Sequence, residues 1–95
     1  MSIWYVYVLL SGSSGRTYVG LTRDPRKRLA VHNAGGSPYT SRHRPWTMQV
    51  VVALPDEQRA RRFERYLKTG SGRAFLARHF LSIAPISQPV TTPAA

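Results

Sequence analysis

Tyr7 and Tyr18 stand in two short apolar runs, "IWYVYVLL" and "RTYVGLT", parted by "SGSSG". Strands paired across such a loop carry two phenolic hydroxyls on neighbouring chains. Arg28 follows Tyr18 by ten residues and His32 follows Arg28 by four, so on a helix Arg28 and His32 project from one face. Glu64 is the one acid in "RARRFERYLK". These side-chain types suit work on a phosphodiester. Its hydrolysis needs a water nucleophile, charge neutralisation around phosphorus and help for the leaving oxygen. The guanidinium of Arg28 offers a fixed fork of donors to non-bridging oxygens. A hard carboxylate such as Glu64 can hold one Mg²⁺ whose other ligands are water and phosphate oxygens. A tyrosine, with a pKa of about 10 in water, is a poor base unless nearby cations lower it.

Taken singly, each residue also has an ordinary structural reading. A tyrosine in a strand is more often a half-buried packing residue than a base. Arg28 and His32 suit the surface of a basic helix, and Glu64 can pair with Arg61 or Lys68 along its own helix. Arg42, His43 and Arg44 form a solvated loop or a phosphate-contact patch. Trp4 and Trp46 read as core or rim packing. The ordered set, rather than any one residue, favours chemistry.

The elements that must position this set follow from local signals. Residues 3–10 and 16–22 read as antiparallel strands. Period two puts Tyr5 and Tyr7 on one face with Val6 and Val8 on the other, and pairs Tyr18 with Gly20. "DPRKRLAVHNAGG" carries helix signals: Asp24 as N-cap, Pro25 in the first turn, and Gly35 or Gly36 to end it. "GGSPYTSRHRPW" reads as a loop and residues 47–54 as a third strand. A second helix starts near Pro55 or Asp56 and stops before Gly70. Ala60, Phe63 and Leu67 form its apolar stripe, and Glu64 lies at the rim of that stripe. "GSGRAFLARHFLSI" reads as a third helix with Phe75, Leu76 and Phe80 on its buried side. The tail "APISQPVTTPAA" has the composition of a disordered segment.

Composition bounds the rest. A chain of 95 residues makes one domain with one modest core. Without cysteine there is no disulfide framework and no thiolate metal site. No apolar run approaches the roughly 18–20 residues of a membrane span, and the start lacks a basic signal-peptide region. Together these suit a cytoplasmic protein. Fourteen Lys and Arg face four Asp and Glu, a net charge of +10, which favours a polyanionic partner. Arg26, Lys27, Arg42 and Arg44 are the candidate nucleic-acid contacts.

The ordered residues resemble the GIY-YIG nuclease superfamily. Val6-Tyr7 match the last two positions of its first motif, with Tyr5 where glycine stands, and Tyr18-Val19-Gly20 match the second. Arg28 matches the family's arginine, His32 its histidine one turn later, and Glu64 its metal-binding glutamate. "YTSRHRPW" and "FERYLKTGSGRAFL" are similar to the small stand-alone bacterial, YhbQ-like members. The first is also similar to the nuclease subunit of Slx-type branched-DNA endonucleases. "KTGSGRAF" occupies the region where many larger members carry an asparagine. The resemblance implies one Mg²⁺ or Mn²⁺ at Glu64 and a motif tyrosine as base or water-positioner, Tyr7 before Tyr18, with His32 as proton relay. It also implies DNA, branched or flapped, as substrate, and a possible protein partner.

The expected fold is therefore α+β: a small three-stranded antiparallel sheet flanked by helices, β-β-α-β-α-α, of GIY-YIG type. The domain is expected over residues 1–83, with a disordered tail over 84–95. The expected function is a metal-dependent DNA endonuclease selecting structure rather than sequence. The alternatives are a non-catalytic nucleic-acid-binding module and a basic interaction domain. Glu64 separates the first two, because a carboxylate beside phosphate repels it and gives a pure binder nothing.

Overall fold

A computed structural model describes residues 3–81. The elements are β1 (Trp4–Ser11), β2 (Thr17–Thr22), α1 (Pro25–Asn33), α2 (Pro38–Arg42), β3 (Trp46–Leu54), α3 (Glu57–Leu67) and α4 (Gly70–His79). The expected α+β domain with a three-stranded antiparallel sheet is what forms. One element differs. The segment read as a loop after Gly36 contains the short helix α2, with Ser37 at its N-cap and Pro38 in its first turn. The expected boundary at residue 83 and the tail lie outside the described residues. Among the described residues, no helix is long and apolar enough to cross a membrane.

The strand order is β2-β1-β3, so β1 is central and antiparallel to both neighbours. This explains why "WYVYVLL" is apolar at nearly every position. Both of its faces are covered, and Val6, Tyr7, Val8 and Leu9 are all essentially inaccessible. On one face Val6, Val8 and Val19 pack with Ala60, Leu67 and Leu76, the inward residues of α3 and α4. On the other, Tyr7 and Leu9 pack with Trp46 and, at the margin, Tyr18, Leu29 and Met48. Strand β3 serves both faces because its register with β1 shifts between Val8 and Leu9, where Val50 and Met48 are the successive partners. A bulge of this kind redirects side chains without ending the strand. Val50 thus joins the aliphatic cluster, whereas Met48 joins the tyrosine cluster.

The helix ends follow capping chemistry. The Asp24 carboxylate accepts from the Lys27 amide at 3.1 Å, and α1 stops where Gly35 takes φ +87°. The Asp56 carboxylate accepts from the Arg59 amide at 2.8 Å, and the Thr69 hydroxyl accepts from the Gly72 amide at 3.1 Å. Gly72 permits the close approach of α4 to α3, because a Cβ there would collide with the Tyr66 carbonyl oxygen. That approach corrects the expectation for α4. Gly72 and Leu76, one turn apart, are buried against α3, but Phe75 and Phe80 are not. They stay 36% and 48% exposed and pack on each other at 5.9 Å on the flank of the helix.

Candidate active site

The site is built outward from Tyr7. In the central strand it faces Gly20 of β2 across the ladder. Its ring lies over that glycine: a Cβ on Gly20 would sit 2.5 Å from the Tyr7 Oη and 2.7 Å from Cζ. The glycine of "YVG" is thus required by the tyrosine of "VYV", a physical reason for the two motifs to occur together. Only 1% of Tyr7 is exposed.

α1 is held against this face. Asn33 at its end donates to the Trp46 carbonyl at 3.0 Å and accepts from the Trp46 amide at 2.7 Å. The helix therefore presents Arg28 and His32 to the tyrosines. The Tyr7 Oη lies 3.0 Å from His32 Nε2, and His32 Nδ1 lies 2.9 Å from Thr40 Oγ1. His32 and Thr40 are fully buried. The Tyr18 ring meets the His32 ring edge-on at 4.8 Å and lies 6.3 Å from the Tyr7 ring. The Arg28 guanidinium sits beside the Tyr7 hydroxyl and close to that of Tyr18.

The electrostatics of this group follow from burial and one cation. Burial raises the pKa of Tyr7, and the adjoining Arg28 opposes the rise. Burial lowers the pKa of His32, and the Arg28 charge lowers it further. The Arg28 guanidinium is held even more firmly charged by the Tyr7 hydroxyl. At neutral pH the site therefore contains a neutral imidazole, a protonated Tyr7 and a fixed cation.

Glu64 reaches the site from the helix layer on the opposite face. Strand β2 is the sheet edge there, and α3 packs on β2 as well as on β1. Its carboxylate is near enough to Tyr7 for its charge to favour the protonated phenol. Its side chain is 19% exposed and accepts from Lys68 Nζ at 2.8 Å. The other acids are used elsewhere: Asp24 and Asp56 cap helices, and Glu57 pairs with Arg61. Glu64 is paired too, with Lys68, but it is the carboxylate whose charge reaches Tyr7, and so the one placed to meet a cation at the site. No group of three acidic, histidine or cysteine side chains that could cage a metal exists among the described residues. One carboxylate fits a Mg²⁺-like ion, which keeps water and substrate phosphate as its remaining ligands.

The structure brings Tyr7, Tyr18, Arg28 and His32 together, with Glu64 close by. Among the expected nucleic-acid contacts, Arg26, Lys27 and Arg42 are exposed, with no ion pair among the described residues. Arg44 is exposed but occupied: its Nε donates to the Ser41 carbonyl at 3.0 Å, and its Nη1 lies 3.5 Å from the Asn33 carbonyl oxygen. It straps the end of α1 to α2. Beside Tyr18 opens a cleft of about 650 Å³ whose lining includes Tyr39, Arg16, Lys68, Arg73 and Leu76. Thr40 is the buried polar residue that sequence reasoning passed over. No spacing rule links it to His32, although Ser37-Pro38 was a legible start for the helix that carries it.

Residues 3–75 match the family described as the GIY-YIG catalytic domain. The chain belongs to the GIY-YIG family. It is 47% identical over 58 residues to the structure-specific endonuclease subunit SLX1 of Cryptococcus neoformans, a match covering 57% of this chain and 12% of that protein. The SLX1 subunit of Candida dubliniensis is 38% identical over 94 residues, covering 90% of this chain and 32% of that one. A UPF0213 protein of Cupriavidus pinatubonensis is 35% identical over 89 residues, 93% of each chain. The chain thus spans less than a third of the length of these SLX1 subunits and nearly all of the bacterial relative.

Proposed function

We propose that this chain is a divalent-metal-dependent DNA endonuclease domain that hydrolyses phosphodiester bonds and selects DNA by structure rather than sequence. The observation that carries the reading is the Tyr7–His32 contact at 3.0 Å beside the Arg28 guanidinium. A buried phenol in contact with a neutral imidazole has a route for its proton. As the attacking water gives a proton to Tyr7 Oη, the phenol's own proton passes to His32 Nε2. Arg28 steadies the phenolate character during the transfer and can clamp the non-bridging phosphate oxygens. Glu64 would hold a Mg²⁺ or Mn²⁺ ion, which supplies positive charge to the phosphate and the leaving oxygen.

Exposure favours a variant of this scheme. Tyr7 is sealed, whereas Tyr18 is half-buried and lines the cleft. In the variant Tyr18 meets the water, and Tyr7 and His32 tune it.

The cleft residues Arg16 and Arg73, with Arg26, Lys27 and Arg42 on α1 and α2, supply phosphate contacts. Such contacts position a strand but carry no sequence information. Two of the relatives are named structure-specific endonuclease subunits, which supports branched or flapped DNA as the substrate and a partner protein for efficient cutting.

The test is cleavage of labelled flap, fork and linear DNAs of shuffled sequence by purified protein, with Mg²⁺ or Mn²⁺ and with chelator, at two salt concentrations. Cutting of flap or fork that stops in chelator is expected. Undiminished cutting in chelator would sink the metal requirement, and cutting of a linear duplex at one defined sequence would sink structure selection.

A further inference from the structure

The proton order within the buried chain can be worked out from its donors and acceptors. The Arg28 guanidinium beside Tyr7 Oη has only donors to offer. Arg28 therefore cannot accept the Tyr7 O–H, which needs another acceptor. His32 Nε2, at 3.0 Å, is the acceptor within hydrogen-bonding distance. An Nε2 that accepts carries no proton, so in the neutral ring the proton is on Nδ1. Nδ1–H then needs an acceptor too, and the hydroxyl oxygen of Thr40 lies 2.9 Å away. The Thr40 O–H in turn has the Ser37 carbonyl oxygen at 3.5 Å. In the opposite order Nε2–H would donate to Tyr7 and the buried Tyr7 O–H would have no acceptor, a loss costing about 1–3 kcal/mol.

We infer that Thr40 is a positioning residue of the site: its hydroxyl holds His32 in the Nδ1–H form, so that Nε2 stays open to the Tyr7 proton. The inference rests on the nuclease reading only for its kinetic consequence; the proton order stands without it. Thr40 is itself fixed by a residue outside this series of hydrogen bonds. Its carbonyl accepts from Trp46 Nε1 at 2.7 Å, in a buried contact. The short helix α2 therefore serves to bring one hydroxyl to the far side of the imidazole, a use of a second partner to set a histidine tautomer that recurs in proton-transfer sites.

The test combines a spectrum with kinetics. Long-range ¹H–¹⁵N correlation spectra of the full chain, at mildly alkaline pH, report which imidazole nitrogen carries the proton. The His32 signals are assigned by their loss in His32→Gln. Wild type and Thr40→Ser are expected to show protonated Nδ1 and bare Nε2. Thr40→Val, which keeps shape but removes the acceptor, is expected to shift the ring toward the Nε2–H form. In single-turnover cleavage, Thr40→Val should lose at least about tenfold in rate and Thr40→Ser should restore it to within about threefold. A wild-type spectrum with protonated Nε2, or a Thr40→Val ring unchanged from wild type, overturns the inference. The wild-type and Thr40→Ser spectra decide it even if Thr40→Val fails to fold. If the wild type cuts no DNA, the nuclease reading fails while the spectra still judge the role of Thr40.

Discussion

On the face of the sheet covered by α3, with α4 behind it, Val6, Val8 and Val19 meet Ala60, Leu67 and Leu76 in an aliphatic cluster. On the face covered by α1 and α2, Tyr7, Leu9 and Trp46 pack beside a buried histidine and a buried threonine. One strand supplies both faces with alternate residues, so the two differ in chemistry rather than in backbone. The first face gains stability from apolar burial, roughly 1.5–3 kcal/mol for each large aliphatic side chain. The second carries polar groups that are tolerable only because each has a partner. On the proposed reading, stability and proton transfer fall on opposite sides of β1, and substitutions on the two sides should fail in different ways.

A large effect is expected from a single change at Glu64, the acid shared across the sheet edge. Glu64→Gln should lower cleavage by about 10²–10³-fold, on the scale of losing one electrostatic stabiliser. It should leave DNA affinity unchanged or slightly higher, since a negative charge near phosphate is removed. Rates and binding isotherms measured on the same preparation would show it. Equal losses in both would merge the two roles.

On the aliphatic face, Leu67→Ala should cost about 2–5 kcal/mol in denaturant unfolding through the cavity it leaves. Its rate per folded molecule should stay near wild type. Gly20→Ala sharpens the comparison from the other side. The new methyl must push the confined Tyr7 ring, with an expected cost of about 1–3 kcal/mol and a fall in cleavage larger than that loss of stability explains. A Gly20→Ala protein with wild-type kinetics would show that Tyr7 need not lie where it does.

The buried imidazole gives the polar face a pH signature. Its folded-state pKa is lowered, by burial first and by Arg28 second. The unfolded chain therefore binds the proton more readily below the ordinary imidazole value of about 6.5, and stability falls as pH drops through and below that value. The acid limb of the rate profile should likewise lie below about 6.5, because the relay needs a neutral His32. His32→Gln should remove the histidine part of the stability change. An acid limb above that value would contradict the lowered pKa. The smallest effects belong to the surface. Neutralising Arg26, Lys27 or Arg42 should each lower the salt slope of DNA binding by about one without changing the order of preferred substrates.

Much of this division was legible in the sequence, for reasons that differ by residue. Period two alone placed Tyr7 opposite in face to Val6 and Val8, and a spacing of four put Arg28 and His32 on one side of a capped helix. Both are local rules, and they held. Glu64 at the rim of the Ala60–Phe63–Leu67 stripe followed equally from helical geometry. What escaped was set by tertiary contact. Phe75 and Phe80 were expected inside, but the glycine contact at Gly72 selects which side of α4 faces inward. α2 reads as loop because its segment is rich in Gly, Ser and Arg. It is fastened by Thr40 and Trp46, whose partners are remote in sequence or in other elements. Arg44 looked like a phosphate contact because its charge was visible, while the two carbonyls it binds were not.

The assignment of chemistry to the polar face is tested most directly by single-turnover cleavage of a flapped DNA with Tyr7→Phe, run beside Tyr18→Phe and the wild type. Removing one hydroxyl keeps the ring, so the fold should survive, at a cost of about 1–3 kcal/mol for the His32 Nε2 left unpaired. Tyr7→Phe is expected to lose about 10²–10⁴-fold in the chemical rate with DNA binding intact, and Tyr18→Phe to lose less. If Tyr7→Phe cuts at the wild-type rate while Tyr18→Phe does not, the base is Tyr18. If both cut at the wild-type rate, the buried tyrosine–histidine pair is packing and the central claim fails.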